Sequence, residues 1–157
     1  MQTMMLERKV IEIEHAEVIF RNFSGAETDY NAAGSRNFAI KLAPDDAEKL
    51  SADGWKVKSW TPGEGEEPVL YLPVSIRYDN YPPKIYMIPG VGAKPVLLDE
   101  TTVGLLDDAE YEDVDIIITP YYWQLKNGSS GIKAYVKEMY VTIRESRFAQ
   151  KYNVYGD

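Results

Sequence analysis

The chain has 157 residues, of which 45% are hydrophobic and 12% are aromatic. That length suits one domain with its own core, and the composition is too apolar for a disordered chain. No apolar run reaches the roughly 18 residues that a membrane helix needs, and the first residues lack the apolar stretch of a secretion signal. The lack of cysteine excludes disulfides and thiolate metal sites, and suits a reducing cytoplasm. We expect a single domain over residues 1–157.

The charge is distributed unevenly. The chain carries 25 acidic and 17 basic side chains, a net charge of -8, which argues at first against a phosphate-rich ligand. Residues 99–115, "DETTVGLLDDAEYEDVD", contain eight acids and no base, and the remainder is balanced at 17 of each. We call this stretch the acidic segment. Because it accounts for the whole net charge, a basic face elsewhere is compatible with the composition.

Alternating hydrophobicity begins near the N-terminus. Residues 10–23, "VIEIEHAEVIFRNF", alternate, but the apolar positions change from odd to even. This pattern predicts one long strand with a bulge near His15. A strand over "NFAIKLA" follows, and then "PDDAEKLSADGW" predicts a short helix. Pro44 and Asp45 suit its first turn, and Gly54 suits its C-terminal cap.

The second half of the chain predicts more strands. Three runs are short strand candidates: "WKVKSW", "VLYLPVSIRYD" and "PPKIYMIP". "DETTVGLLDDAE" is expected to be a short helix or turn that Thr101 or Thr102 could cap. "VDIIITPYYWQLK" and "IKAYVKEMYVTIRE" flank the turn "NGSSG" and predict a long hairpin, with a bulge where the apolar phase changes at Lys137 and Glu138. The tail "SRFAQKYNVYGD" is expected to end as a partial helix.

About six strands with one or two short helices place the protein in the mainly β class. Long strands that bend at bulges are what a small closed barrel requires. The predicted fold is therefore an OB-like Greek-key barrel with a long C-terminal β-hairpin, and a β-sandwich is the alternative.

The predicted hairpin has an unusual outer face. If Ile132, Ala134 and Val136 point inward, Lys133, Tyr135 and Lys137 point outward, beside Tyr121 and Trp123 of the partner strand. Rings that stack on bases and cations that follow phosphates are what single-stranded nucleic acid requires. Aromatic residues also fill half-buried strand surfaces, and lysines protect sheet edges, so a plain β-domain is the competing interpretation.

Several sequence blocks resemble a family of small bacteriophage single-stranded DNA-binding proteins. These blocks are "FRNFSG", "NAAGSRNFAIKL", "DGWKVK", "PPKIYMI" and "VDIIITPYYWQLKNGSSGIKAYVKEMYVTI", in this order from about Arg21 to Tyr152. The resemblance implies an OB-type barrel that coats single-stranded DNA during replication or recombination. The matching positions are Arg21, Asn22, Phe23, Arg36, Asn37, Phe38, Trp55, Lys58, Lys84, Tyr86, Tyr121, Trp123, Lys133 and Tyr135. The strand pattern adds Lys56, Arg77, Lys126 and Lys137 to the predicted DNA-binding set.

The resemblance also implies partners and a location. Single-stranded DNA is the expected ligand in the cytoplasm of a host bacterium, without a cofactor and without a membrane. Replication or recombination proteins of phage or host, and further copies of the chain, are compatible partners. Many single-stranded DNA-binding proteins end in an acidic recruiting tail, which "QKYNVYGD" does not resemble.

Catalytic and metal motifs are weak. His15 is the only histidine and has no nucleophile motif nearby, so we predict neither a catalytic triad nor a zinc site. The acids of "PDDAEK" suit a helix N-terminus better than a nuclease core. "PGVGAKP" lacks the spacing of a phosphate loop, and residues 107–115 lack that of a calcium loop. Two other functions stay open: a phage structural or assembly protein with rings at a subunit interface, and an acidic DNA mimic that inhibits a host enzyme.

Overall fold

The computed structural model describes residues 3–7, 10–79 and 81–144, with side chains from residue 10 onward. The strands are β1 Thr3–Glu7, β2 Val10–Glu14, β3 Val18–Asn22, β4 Arg36–Leu42, β5 Lys58–Trp60, β6 Val69–Ile76, β7 Lys84–Ile88, β8 Val96–Leu98, β9 Tyr111–Gln124 and β10 Ser130–Ile143. Helix α1 spans Pro44–Ala52 and a 3-10 helix spans Val103–Asp107. The sequence did not predict β1 and β8. The partial helix expected in the C-terminal tail lies outside the described residues.

The strands follow the alternation of apolar side chains. In β6, Leu72, Val74 and Ile76 are buried, whereas the intervening residues lie on the outer face. In β10, the inward positions change parity, as predicted, at a register shift between Val136 and Glu138. Because a bulge adds one residue to one strand, residues on both sides of it can point into the same core. The core contains no buried polar or charged residue within the described part of the chain.

Helix α1 forms where the sequence predicts it. Pro44 lies in its first turn, where the missing N–H costs nothing, and Asp45 and Asp46 favour the positive end of the helix dipole. Ala47 and Leu50, three positions apart, face the core. Gly54 follows the helix with φ of +100°, a conformation that glycine adopts without steric cost. Among the described residues, no helix is long and apolar enough to cross a membrane.

The sheet has the strand order β1-β2-β9-β10-β6-β4-β3. Strand β5 pairs with the first residues of β6, and β7 pairs with both β10 and β8. The β10 pairings with β6 and β7 are parallel, and the other pairings are antiparallel. The predicted hairpin is formed by β9 and β10, each of 14 residues.

Residues 10–22 connect two distant parts of this sheet. Strands β2 and β3 are consecutive, yet β2 pairs with β9 and β3 pairs with β4. Between them, the Ala16 N–H donates to the Val114 carbonyl (2.8 Å), and the Lys41 N–H donates to the Glu17 carbonyl (2.9 Å). Residues 10–22 therefore connect the β9 side of the sheet to the β4 side, an arrangement compatible with an OB fold. The mainly β, OB-like prediction is confirmed.

The prediction of one strand with a bulge near His15 is wrong in detail. His15 has φ of +56°, in the left-handed region that histidine tolerates better than most residues. A bulge would keep both halves against the same neighbour, whereas this turn sends them to different strands. The change of apolar parity in the sequence marks this change of partner. The bulge of this stretch lies further on, between Ile19 and Asn22.

Candidate nucleic-acid interface

The outer face of the hairpin is basic and aromatic at the end nearest its turn. Tyr121 lies directly opposite Lys133 on the paired strand, and Tyr135 lies two positions further along β10. The rings of Tyr121 and Tyr135 meet edge to face with centroids 6.2 Å apart. The Lys133 ammonium lies 5.4 Å from the centre of the Tyr135 ring, within range of a cation–π contact. Ring and charge are thus held beside each other on the outer face, where Tyr121 and Lys133 are exposed and Tyr135 is half-buried.

A groove of about 640 Å³ runs beside these rings, and we call it the hairpin groove. Its lining combines the loop before β7 with the outer faces of β9 and β10: Arg77, Tyr81, Pro82, Lys84, Thr119, Pro120, Tyr121, Tyr135, Val136, Lys137 and Glu138. Its openness to solvent and its flat rings suit an extended ligand.

The cations of the hairpin groove differ in their partners. The Arg77 Nε donates to Asp79 at 2.8 Å. Hydrogen bonds to Asp79 first, and to Tyr135 second, raise the pKa of Arg77. Lys84 and Lys137 are exposed and form no ion pair within the described residues. Two lysines are therefore available to an anionic ligand, while Arg77 is held in place by its neighbours.

A second cleft, of about 320 Å³, lies on the other side of Lys133. We call it the lysine cleft. Lys56, Lys58 and Lys133 line it together with the Trp123 side chain and the outer face of β6. Residues 132–134 of β10 line the lysine cleft and residues 135–138 line the hairpin groove, so the two depressions adjoin along this strand.

The position of the Trp123 ring depends on Gly131, the residue opposite it on β10. A Cβ at Gly131 would lie 2.8 Å from the Trp123 Cζ2, closer than carbon atoms approach. The indole therefore lies against the bare backbone of β10. Glycine weakens a strand, and here it admits a flat ring at the mouth of the lysine cleft.

Three aromatic residues of the predicted DNA-binding set are in the core. Phe23 and Phe38 are 0% and 2% exposed, and their rings stack with centroids 5.0 Å apart. Trp55 is 3% exposed and forms a bridge with Ile132. For these three, the prediction of base stacking is wrong, because a ring without exposed faces cannot contact a base. Apolar periodicity alone did not separate inward from outward rings in short segments.

Two predicted arginines hold the acidic segment instead of facing the grooves. The Arg21 guanidinium donates to the carbonyls of Leu106 (3.0 Å) and Ala109 (2.6 Å), and lies 4.0 Å from the Tyr111 ring centre. The Arg36 guanidinium donates to the Glu100 carbonyl at 3.0 Å. Both guanidinium groups are thus directed toward the acidic segment, and neither lines the hairpin groove or the lysine cleft. Their phosphate contacts stay a prediction.

The remaining predicted residues are not among those that line the hairpin groove or the lysine cleft. Asn22 and Asn37 fix the loop between β3 and β4, where the Asn37 amide donates to the Asn31 side chain at 2.7 Å. Tyr86 follows Lys84 on the same face of β7, and its ring stacks on Tyr140 with centroids 5.0 Å apart. Lys126 is exposed in the hairpin turn.

The sequence-based set omitted several exposed aromatic residues, among them Tyr81 and Phe20. Tyr81 is 90% exposed at the rim of the hairpin groove, and Phe20 is 47% exposed on β3. Both have positive φ, +53° each, which sequence patterns do not reveal. Tyr81 stands between asparagine and two prolines, and a large ring in such a loop was the available signal.

The acidic segment is fastened to the fold by its own side chains. The Asp107 carboxylate accepts the backbone N–H groups of Phe23 (2.6 Å) and Ser24 (3.1 Å). Asp99 accepts from the hydroxyl and N–H of Thr101, and these hydrogen bonds lower its pKa. Thr102 precedes the 3-10 helix without capping it through its side chain. The acids therefore contribute to structure, in addition to forming a charged surface.

One group of side chains has the spacing of a metal site. Ligand atoms of His15, Asp113 and Asp115 lie within 4.8 Å of one another. The His15 Nδ1 lies 2.7 Å from Asp113 Oδ1, and the His15 N–H donates to Asp115 at 3.2 Å. The hydrogen bond to Asp113 is the main cause that raises the pKa of His15. The His15 Nδ1 and the carboxylate oxygens that could bind a cation are engaged in these contacts. We therefore interpret the group as an ion pair and not as a metal site.

Acidic and basic groups occupy different ends of the hairpin face. Tyr121 and Asp113 are on the same strand, about 27 Å apart at the rise of an extended strand. Charges farther apart than a Debye length of about 8–10 Å are largely screened at moderate salt. The carboxylates at the Asp113 end therefore have little influence on the hairpin groove's outer end, near Tyr121.

Sequence comparison identifies the family. A family model described as a "phage ssDNA-binding domain" matches residues 1–155. The chain belongs to this phage ssDNA-binding domain family. A search of curated proteins finds no match to the sequence.

Structures of one phage protein share the fold. The single-stranded DNA-binding protein from bacteriophage Enc34, in complex with ssDNA, is similar with a TM-score of 0.54 and 8% identity, over 88% of this chain and 89% of that chain. A second structure of that protein has a TM-score of 0.51 and 10% identity, over 93% of each chain. Its C-terminal truncation has a TM-score of 0.51 and 8% identity, over 92% of this chain and 95% of that one. At such identities the likeness concerns the fold.

Proposed function

We propose that the protein binds single-stranded DNA along the hairpin groove and the lysine cleft, without reading its sequence. The observation that carries this proposal is the juxtaposition of aromatic rings and lysines on one outer face, where the Tyr135 ring contacts both the Tyr121 ring and the Lys133 ammonium. Base stacking tolerates any sequence because every base has a flat face, and lysines contact the phosphates common to all nucleotides. Membership of the phage family supports the same ligand.

The protein would act by coating and protecting single strands during phage replication or recombination, in the cytoplasm of the host. No step of that role requires catalysis. Among the described residues, His15 is occupied by Asp113 and Asp115 and has no positioned nucleophile. Replication or recombination proteins of phage or host, and further copies of the chain, are additional partners in this proposal.

The test is a titration with oligothymidylate, followed by tryptophan fluorescence or anisotropy of a labelled oligonucleotide. Tyr121→Ala should weaken binding by about 1–3 kcal/mol, the range for a ring that stacks on a base. Tyr121 is exposed, so the variant should keep its melting temperature. Tyr30→Ala is the matched control, because Tyr30 is fully exposed and is not among the residues that line either depression. If the unaltered protein fails to bind at low salt, the proposed function is refuted.

A further inference from the structure

Three aromatic rings form an exposed cluster outside the two depressions. The Phe20 ring lies between those of Trp60 and Tyr71, with centroid distances of 5.4 Å and 5.1 Å and interplanar angles near perpendicular. Phe20 and Trp60 are each 47% exposed, and Tyr71 is half-buried. We call these residues the aromatic triad. A cluster of large rings that remains open to water contributes less to the core than buried rings would.

The fold positions Phe20 at a steric cost. Phe20 has φ of +53°, in a region that bulky side chains rarely adopt, and the register of β3 against β4 shifts between Ile19 and Asn22. A bulge of this kind redirects a side chain out of the alternation of its strand. Here it turns the Phe20 ring outward onto Trp60 and Tyr71. Strained positions persist where the surrounding structure enforces them, and they are frequent at binding sites.

The aromatic triad continues the surface already described. Tyr71 is on the outer face of β6, which runs on through Pro73 and Ser75 to Arg77 in the hairpin groove. Lys58 of the lysine cleft pairs directly with Tyr71 on the neighbouring strand. From Tyr71 to Arg77 this face extends about 20 Å at the rise of a strand. One extended ligand could therefore contact the triad and both depressions.

The charges around the triad favour single-stranded DNA as its ligand. They also indicate where the binding path of that DNA ends. Lys41 and Lys58 lie on either side of Tyr71 in the adjacent strands, and Lys41 also contacts Glu17 at 3.7 Å. Beyond Trp60, the loop between β5 and β6 carries three glutamates, which would repel phosphates: Glu64, Glu66 and Glu67. The lysines beside the rings favour bound phosphates, and the glutamates after Trp60 disfavour them. The proposed DNA path therefore ends near Trp60.

From this continuity we propose that the aromatic triad is a second stacking platform, which takes further nucleotides of the same single strand. The inference rests on the proposed function, because it extends the same binding path. It predicts that the triad contributes only when the oligonucleotide is long enough to reach it. OB-type domains bind about 4–16 nucleotides, so both regimes can be measured.

The experiment compares oligothymidylates of about 6 and about 16 nucleotides, the lower and upper parts of that range. The variants are Phe20→Asn, which removes the ring while asparagine tolerates positive φ, and Trp60→Ala as a second route if the first fails to fold. We expect each to lose about fivefold or more in affinity for the long oligonucleotide, and little for the short one. Tyr30→Ala should lose nothing at either length.

Other outcomes distinguish the alternatives. Unchanged affinity of both folded variants for the long oligonucleotide would overturn the inference and leave the proposed function intact. A change in oligomeric state by sedimentation, with DNA affinity unchanged, would overturn it in favour of contact between copies. Failure of the unaltered protein to bind either length would refute the proposed function and this inference with it.

Discussion

His15 occupies the turn at which the chain leaves one strand of the barrel for another. Its positive φ and its contacts with Asp113 and Asp115 hold β2 and β3 to β9. The hydrogen bond and the negative charge of Asp113 favour the protonated imidazole, which raises the pKa of His15 above 6.5. The stabilising contribution is therefore complete below that pH and is lost as the pH rises through the folded-state pKa.

The first prediction concerns this titration. His15 is the only histidine, so its ring protons give a single titration curve by NMR. We expect a pKa above 6.5 in the unaltered protein, and one closer to 6.5 in Asp113→Asn, because the acceptor charge is removed. His15→Asn, which retains tolerance for positive φ, should lower the melting temperature more at pH 6 than at pH 8.5. Equal losses at both pH values would contradict the charged pair.

Individual residues also show why the aromatic rings were difficult to assign from sequence. Phe23 and Tyr121 both belong to segments whose sequence pattern is typical of a strand, yet Phe23 is fully buried and Tyr121 is exposed. The direction of a side chain depends on bulges and on positive φ, which shift the parity of a strand by one residue. The hairpin could be predicted because two long runs of alternating hydrophobicity flank a Gly/Ser-rich turn. The β2–β3 stretch could not, because the partner strand changes at His15.

At the scale of elements, the hairpin depends on the fit between Trp123 and Gly131. The indole can lie against β10 only because position 131 has no Cβ. The ring thereby forms part of the lysine cleft, and would not do so if it stood away from the strand. A glycine in the middle of a strand is otherwise unfavourable, so this close contact supplies a reason for it.

We therefore predict that Gly131→Ala moves the Trp123 ring into solvent. The change should shift tryptophan emission to longer wavelength and weaken oligothymidylate binding, with the free energy of unfolding altered by only about 0.5–1 kcal/mol because the site is at the surface. Ser130→Ala is the control on the neighbouring position, with no effect expected on either signal. An unchanged emission spectrum for a folded Gly131→Ala protein would show that the ring accommodates the methyl group in place.

The contacts made by the 3-10 helix and the neighbouring strands show that acids of the acidic segment have structural roles, which composition alone does not predict. Eight acids without a base suggested a solvated surface, yet Asp107 binds the backbone of residues 23–24 and Asp113 binds His15. Carboxylates that accept backbone N–H groups contribute to stability in a way that charge counting does not detect. The sequence correctly indicated that the acids are concentrated in one region, and the structure gives many of them local partners.

For the whole molecule, the separation of charge predicts how binding depends on salt. Each phosphate that a lysine neutralises contributes about -0.7 to the log–log slope of affinity against salt for single strands. Lys133→Gln and Lys137→Gln should each make the slope shallower by about that amount. Lys94→Gln is the control, because Lys94 is not among the residues that line the hairpin groove or the lysine cleft. A control that changed the slope equally would show that net charge, and not position, determines it.

Intrinsic fluorescence gives a second measurement on the whole molecule. Trp55 is buried in the core, whereas Trp60 and Trp123 are accessible on the proposed DNA path. Quenching by oligothymidylate should therefore persist in Trp55→Phe and decrease in Trp123→Phe. If the signal instead disappears with Trp55, the DNA changes the core and does not stack on the surface rings.

The long-range pairing of residues 10–22 has a consequence for how the protein folds during its synthesis. Ile11 and Ile13 pair with Ile118 and Ile116, partners more than 100 positions later in the sequence. Contacts this distant make folding slow, since a long loop must be ordered before they can form, and barrels of this kind fold on a scale of about milliseconds to seconds. During synthesis on the ribosome, strand β2 cannot pair with β9 until the C-terminal hairpin has been made. Because that same hairpin carries the proposed DNA contacts, incomplete chains would lack both these strand pairings and the surface for binding.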